Sequence, residues 1–389
     1  MNNPGLSRPA TRRHTAVVLA VQSHAPGAVA LRIRMDSRDE MAGDEAWALA
    51  YTALTGLPAP GDRVLVNTTA LDLRLGTGGY HFVIAIEGPS GVDAVAPFPG
   101  HLMKLRYTPH QCAVLAAEET ETRGADERDD LDLAPVVACE LHSQPPAVAA
   151  GFLARLPDAR IAYVMTDGAA LPLAFSRLVA LMRDRGLVHG VVTAGQSFGG
   201  DLEAINIYSG LLMARWALQS DLIIIGQGPG NAGTGTRFGF SGLQQADAAN
   251  AAACLGGRPI ICLRASAVDS RERHQAPSHH TLTVLDRAVR CRCAVPIARD
   301  APGVRRRRIL AALQQLQLHE RHDLLTECRG SPGLDLLQER DVSVTTMGRS
   351  VADDREFFLH ASAAGAAAAT MVEMRAQRAE AGPATRRPF

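Results

Sequence analysis

A chain of 389 residues with 47% hydrophobic content can fill two cores, and its 40 basic residues are balanced by 40 acidic ones. That balance argues against a nucleic-acid protein working through a broad basic surface, and 4% aromatics argues against base-stacking platforms. The seven cysteines are odd in number and form no CxxC, no apolar run approaches the ~20 residues of a membrane span, and no apolar segment follows the charged start, so a reduced, cytoplasmic protein off the membrane is expected.

Residues 1–13 read as a disordered leader. From His14 to about residue 100 the pattern is all-β. TAVVLAV, ALRIRMD, WALAYTAL, GDRVLVNTTALDLRL and YHFVIAIEG are short strands separated by Gly and Pro, as in a small OB-like or SH3-like barrel. Residues 101–133 form a bridge ending in a charged stretch, ETRGADERDDLDL, with no apolar face. Lys104, in this bridge, is the only lysine of the chain. Schiff-base lysine chemistry would fall to it alone, and a lysine P-loop is excluded.

From Ala134 to about residue 360 strands alternate with amphipathic helices. The strands are PVVACELHS, RIAYVMTDGAA, LVHGVVTAG, DLIIIGQ and RPIICLR. This order predicts an α/β class, with a Rossmann-like three-layer domain and a mostly parallel sheet. DLEAINIYSGLLMARWALQ reads as one helix. A weak strand at CAVPIA, a helix over RRRRILAALQQLQLHERH and a last strand at SVTTM follow. Residues 361–389 read as an Ala-rich helix and a frayed tail.

In such sheets ligands bind outside the carboxyl ends of the strands. Those ends carry Glu140 and His142, then Asp167, then Gln196 and Ser197, then a loop with seven glycines, then Arg264 and Ser266. Five polar ends in a row predict one shared pocket. In the glycine loop Gly228, Gly230, Asn231, Gly233, Thr234, Thr236 and Arg237 are the candidates for holding a small anion such as a phosphate or nucleotide. The string G-x-G-x-x-G over 228–233 is a poor dinucleotide fingerprint, because no helix opens on it.

Asp167, Asp201, His279 and His280 are the acid/base candidates, with Glu203 nearby. Asp167 and Asp201 also suit ordinary capping positions. On a strand the adjacent His279 and His280 cannot both face one point, and no metal site is assigned. Gly195-Gln-Ser197-Phe-Gly199 matches the nucleophile-elbow string and lies between a strand and a helix, which keeps a serine hydrolase open with Ser197 as nucleophile. A non-catalytic ligand sensor or assembly protein using the barrel as an interaction module is the competing class. No cofactor is assigned, and self-association is left open.

GTGGYHFV, GHLMKLRYTPHQ, ELHSQ, YVMTDGAALPLAFS, GQSFGGDLEAINIYSGL, GQGPGNAGTGTRFGFSG and SHHTLT together resemble the bacterial family filed as domain of unknown function 3866. The resemblance covers roughly residues 14–360 and implies a bacterial, actinobacterial source. It brings no activity, cofactor or catalytic residue with it.

Overall fold

The computed structural model describes residues 11–36, 43–76, 78–88, 100–120 and 128–380. Residues 1–10 of the expected leader, the middle of the charged stretch and the end of the tail lie outside these residues, and Arg13, assigned to the leader, already opens the first strand. The chain divides into two compact units.

The first unit takes in the chain through Pro99, with Tyr107–Cys112 and Ala174–Arg177. Its strands are β1 (Arg13–Ala25), β2 (Ala28–Met35), β3 (Glu45–Tyr51), β4 (Arg63–Asn67) and β5 (His81–Ile86). They close into a barrel in the order β1-β2-β3-β5-β4. Only β3 and β5 pair in parallel, a crossover that favours the OB-like alternative over a simple meander. Alternate residues such as Val18, Leu31, Ile33, Ala48, Val64 and Val66 fill the interior, as a half-buried strand requires. Two expected strand tails differ: Thr52–Thr55 and Thr69–Asp72 are single helical turns. TAL and TALD lack the alternation that would carry the strands onward.

The second unit is an α/β layer structure. Its strands are β6 (Pro135–Cys139), β7 (Ile161–Thr166), β8 (Gly190–Ala194), β9 (Leu202–Ala204), β10 (Leu222–Gln227), β11 (Arg258–Ile261), β12 (Ala265–Ser266), β13 (Ala276–Pro277), β14 (Ala294–Pro296) and β15 (Asp323–Leu325). Eight of them form one sheet in the order β9-β8-β7-β10-β6-β11-β14-β15, every pairing parallel. Every residue of β6, β7, β8 and β10 is buried, which explains their unbroken apolar runs.

The helices are α1 (Pro145–Leu153), α2 (Arg177–Asp184), α3 (Ile207–Trp216), α4 (Gln244–Cys254), α5 (His279–Thr283), α6 (Gly303–Gln315), α7 (Ser331–Glu339) and α8 (Arg355–Glu380). Val137, Tyr163 and Ile224 face one core with α1, α7 and α8, whereas Val136, Val164 and Ile223 face the other with α3 and α4. From β6 the chain steps outward to β7, β8 and β9, then returns through β10 and proceeds past β6 to β11 and beyond. Right-handed crossovers put the helices of the two directions on opposite faces. In sheets of this kind such a reversal marks the carboxyl ends of β10, β6 and β11 as the expected place for a ligand.

Three elements depart from expectation. DLEA is the strand β9 and not a helix start; the helix opens at Ile207 and is capped by Asn206, whose Oδ1 accepts from Tyr208 and Ser209 amides. DLL (β15) is a strand too short to read from periodicity. The Ala-rich segment is the helix expected, but it packs in the core: Ala361, Ala363, Ala364, Ala368 and Ala369 are buried. Glycines make that approach possible, since a Cβ on Gly365 would sit 1.9 Å from the Val148 carbonyl oxygen and one on Gly151 would sit 2.0 Å from that of Ser362. Among the described residues no helix is long and apolar enough to cross a membrane.

Candidate functional site

β6 ends at Cys139, and Glu140 follows at the strand end, fully buried. Its main-chain amide and that of Leu141 donate to Gln144 Oε1 at 2.9 and 3.0 Å, which fixes the turn into α1. Arg264, just beyond β11, donates from Nη1 to Glu140 Oε1 at 2.6 Å. His280 Nδ1 lies 2.6 Å from the same oxygen and 3.3 Å from Arg264 Nη1. Burial alone would raise the Glu140 carboxyl, but the Arg264 charge and the His280 hydrogen bond together hold it below the usual carboxylate range. Asp269, 3.9 Å from Arg264 Nη2, adds a second carboxylate. Its burial is outweighed by hydrogen bonds from Arg271, which keep it ionised.

The glycine loop reaches this network from the side. Phe240 stacks on His280 with ring centroids 3.7 Å apart, and a Cβ on Gly242 would sit 2.5 Å from Glu140 Cγ. The close approach that so many glycines imply is therefore met at Glu140. Most of the loop's polar groups are spent internally. Thr234 amide donates to Gly239 carbonyl at 2.7 Å, Thr234 and Thr236 hydroxyls pair at 3.0 Å, and Asn231 Oδ1 accepts from Gln227 Nε2 and Ser241 Oγ. Residues 232–238 are exposed, and the loop closes on itself where Gly233 bridges Phe240. Gly228 has a different reason: a Cβ there would sit 2.6 Å from the Ala170 carbonyl oxygen. Gly230 holds a φ of 107°, which a side chain would strain. Arg237 is exposed, and a Cβ on Gly235 would sit 3.8 Å from Arg273 Nη1. Neither Arg237 nor Arg273 is paired with a carboxylate among the described residues.

The other candidates separate. His142 Nδ1 lies 3.2 Å from the Tyr163 hydroxyl and 3.3 Å from the Gln227 carbonyl, and burial pushes the ring down to about 4. Asp167 is half-buried at the end of β7 and accepts from the Gln196 amide at 3.0 Å; Gln196 in turn accepts from the Arg106 amide at 3.2 Å. Ser197 is buried and its hydroxyl donates to the Thr166 carbonyl at 2.9 Å; no histidine is hydrogen-bonded to it. Asp201 is not at a carboxyl end. The register Val192↔Leu202 puts it beside Val191, near the start of β8, where it accepts from the Val191 amide and pairs with Arg183. Glu203 is committed to Lys104, whose Nζ lies 3.3 Å away and also donates to the Ser197 and Ala204 carbonyls. Burial lowers that lysine and raises that glutamate. Ser266 donates to Asp354 at 2.7 Å.

Sequence reasoning missed four residues here. Gln144, Gln227 and Gln245 are buried at the strand ends, and each keeps one side-chain atom without a partner: Gln144 Nε2, Gln227 Oε1 and Gln245 Oε1. Glu140 Oε2 is likewise unpaired. The fourth is His274, in the turn Glu272–His274, whose ring lies 4.9 Å from those of both His279 and His280. The expectation that His279 and His280 diverge fails because they sit in the first turn of a helix, not on a strand, and their rings are 4.3 Å apart. The run RERHQAPSHH, three histidines within seven residues, was the available signal.

A hollow of about 770 Å³ lies beside the edge strand β15 and is lined by Arg258, Asp323, Leu325, Met371 and Met374 among others. Among the described residues it collects no buried side-chain polar atom left without a partner, so the carboxyl ends of the strands, where such atoms gather, are the better candidate. No curated protein and no solved structure matches the chain. Residues 47–365 match the family described as "Protein of unknown function (DUF3866)", and over that span the chain belongs to it.

Proposed function

We propose that this protein is a cytoplasmic enzyme that takes a small anionic, phosphate- or nucleotide-like molecule at the carboxyl ends of β10, β6 and β11. One observation carries the reading. Glu140 Oε2, Gln144 Nε2, Gln227 Oε1 and Gln245 Oε1 are buried without partners on residues that hydrogen-bond to one another's turns at the ends of β6, β10 and β11. Each such atom costs about 1–3 kcal/mol if nothing binds it, and four in one place favour a ligand with donors and acceptors of its own. Arg237, exposed on the glycine loop, and Arg273, in the turn that carries His274, supply two guanidiniums for the negative charge. The Glu140–His280 pair supplies proton transfer, with the carboxylate orienting the ring through Nδ1. Seven free cysteines suit a reducing compartment.

Thermal-shift titration with inorganic phosphate, nucleoside monophosphates and sugar phosphates tests the reading. At least one probe is expected to raise Tm by mass action, and the Arg237→Ala/Arg273→Ala variant is expected to lose that rise. A variant that responds like the parent overturns the arginine assignment. Turnover of the stabilising probe supports the enzyme; stabilisation without turnover supports a ligand sensor instead.

A further inference from the structure

His274, His279 and His280 each offer one ring nitrogen, and these three atoms lie within 4.8 Å of one another. We infer that they bind a divalent transition-metal ion, zinc by preference, as a three-histidine site open to a fourth ligand. Nitrogen ligands 2.0–2.1 Å from a tetrahedral ion stand about 3.3 Å apart, so small ring rotations close the set.

The surroundings are those of a supported metal site. His280 gives Nδ1 to Glu140 at 2.6 Å, which leaves Nε2 for the ion and reproduces a carboxylate–histidine–metal arrangement. His274 Nδ1 lies 2.7 Å from the Ser278 hydroxyl; in the tautomer that donates from Nδ1, Nε2 is likewise free. Ser278 also accepts from the His280 amide at 3.2 Å, so one residue fixes two of the ligands. His279 Nε2 is buried with no partner at all. Phe240 locks the His280 ring by stacking. The charge of Arg264 is offset by Glu140 and Asp269. Three neutral imidazoles suit zinc, cobalt or nickel rather than magnesium or calcium, which want oxygen.

His274 and His280 are buried and His279 is only partly buried, so His279 is the ligand residue nearest solvent. An ion there would polarise a water or a ligand oxygen beside the unpaired glutamines. The inference deepens the function proposed above and rests on the same strand ends, but its test needs no substrate. Chelator-treated full-length protein is titrated with zinc by calorimetry and with cobalt by visible absorption, in a Cys291→Ser background that removes a thiolate competitor. One ion per chain is expected. His279→Ala should weaken zinc at least tenfold with little change in Tm of the metal-free protein, because that ring makes no hydrogen bond through Nε2. Glu140→Gln should weaken it about 10–100-fold, the range for a lost carboxylate partner of a ligand. Zinc binding by His279→Ala equal to that of the parent overturns the site. Loss of the metal with phosphate-probe stabilisation intact overturns the metal alone, whereas metal binding without any stabilising probe overturns the anion pocket alone.

Discussion

Phe240 lies flat on His280, their ring planes 4° apart and centroids 3.7 Å apart. An exposed glycine loop and a buried imidazole are thereby joined, so the loop's contribution is positional. Phe240→Ala is expected to cost about 3 kcal/mol, from lost burial and stacking. Urea unfolding followed by circular dichroism measures it, and Phe240→Tyr should recover most of the loss.

The Lys104–Glu203 pair has its own signature. Lys104→Met leaves Glu203 half-paired in a buried place, so a loss of about 3–5 kcal/mol is expected. The double variant with Glu203→Gln should be more stable than the single one, since a neutral amide tolerates that position better. A double variant less stable than Lys104→Met would place the pair's value in its carbonyl contacts alone.

Helix packing between α1 and α8 depends on absent side chains. Gly365→Ala drives a methyl to 1.9 Å from a main-chain oxygen that cannot swing away. A loss of about 3 kcal/mol or more is expected, with aggregation on expression. Met374→Ala, on the exposed side of the same helix, should stay within about 0.5 kcal/mol of the parent. Equal stabilities for the two variants would refute the packing argument.

Acid stability follows from His360. Its ring is fully buried, accepts from the Ala298 amide through Nδ1, and is lowered by burial to about 4. The unfolded imidazole titrates near 6.5, so between the two values the unfolded state binds a proton that the folded state refuses. The stability is therefore full above about pH 6.5, falls as the pH drops, and stops falling below about 4. The total loss from this group is about 3 kcal/mol. Denaturant midpoints measured from pH 7.5 to 4 should show it, and His360→Gln should flatten that part of the curve.

The barrel and the parallel sheet were legible because their strands carry period-two alternation or unbroken apolar runs between Gly and Pro. The strand ends were legible for the same reason: they are local events, and Glu140 and Arg264 follow directly from them, whereas the buried Gln144, Gln227 and Gln245 carry no local signal. Asp201 was misplaced because its neighbour is set by the register Val192↔Leu202, which no local pattern records. His274 was overlooked because four residues separate it from His279, and a turn and the two-residue strand β13 bring them together. The long carboxyl-terminal helix was legible in its run of alanines, but its burial was not, because alanine gives no amphipathic stripe. Its burial depends on how closely two backbones can approach.

The burial of Lys104 reaches beyond its ion pair. Since it is the only lysine and has no exposed surface, no side-chain amine of the folded protein meets solvent. Acylating reagents and lysine-directed cross-linkers would find this position only when the segment around it opens. The rate at which Lys104 becomes modified is thus a clock for that opening, carried by the native sequence without any added label.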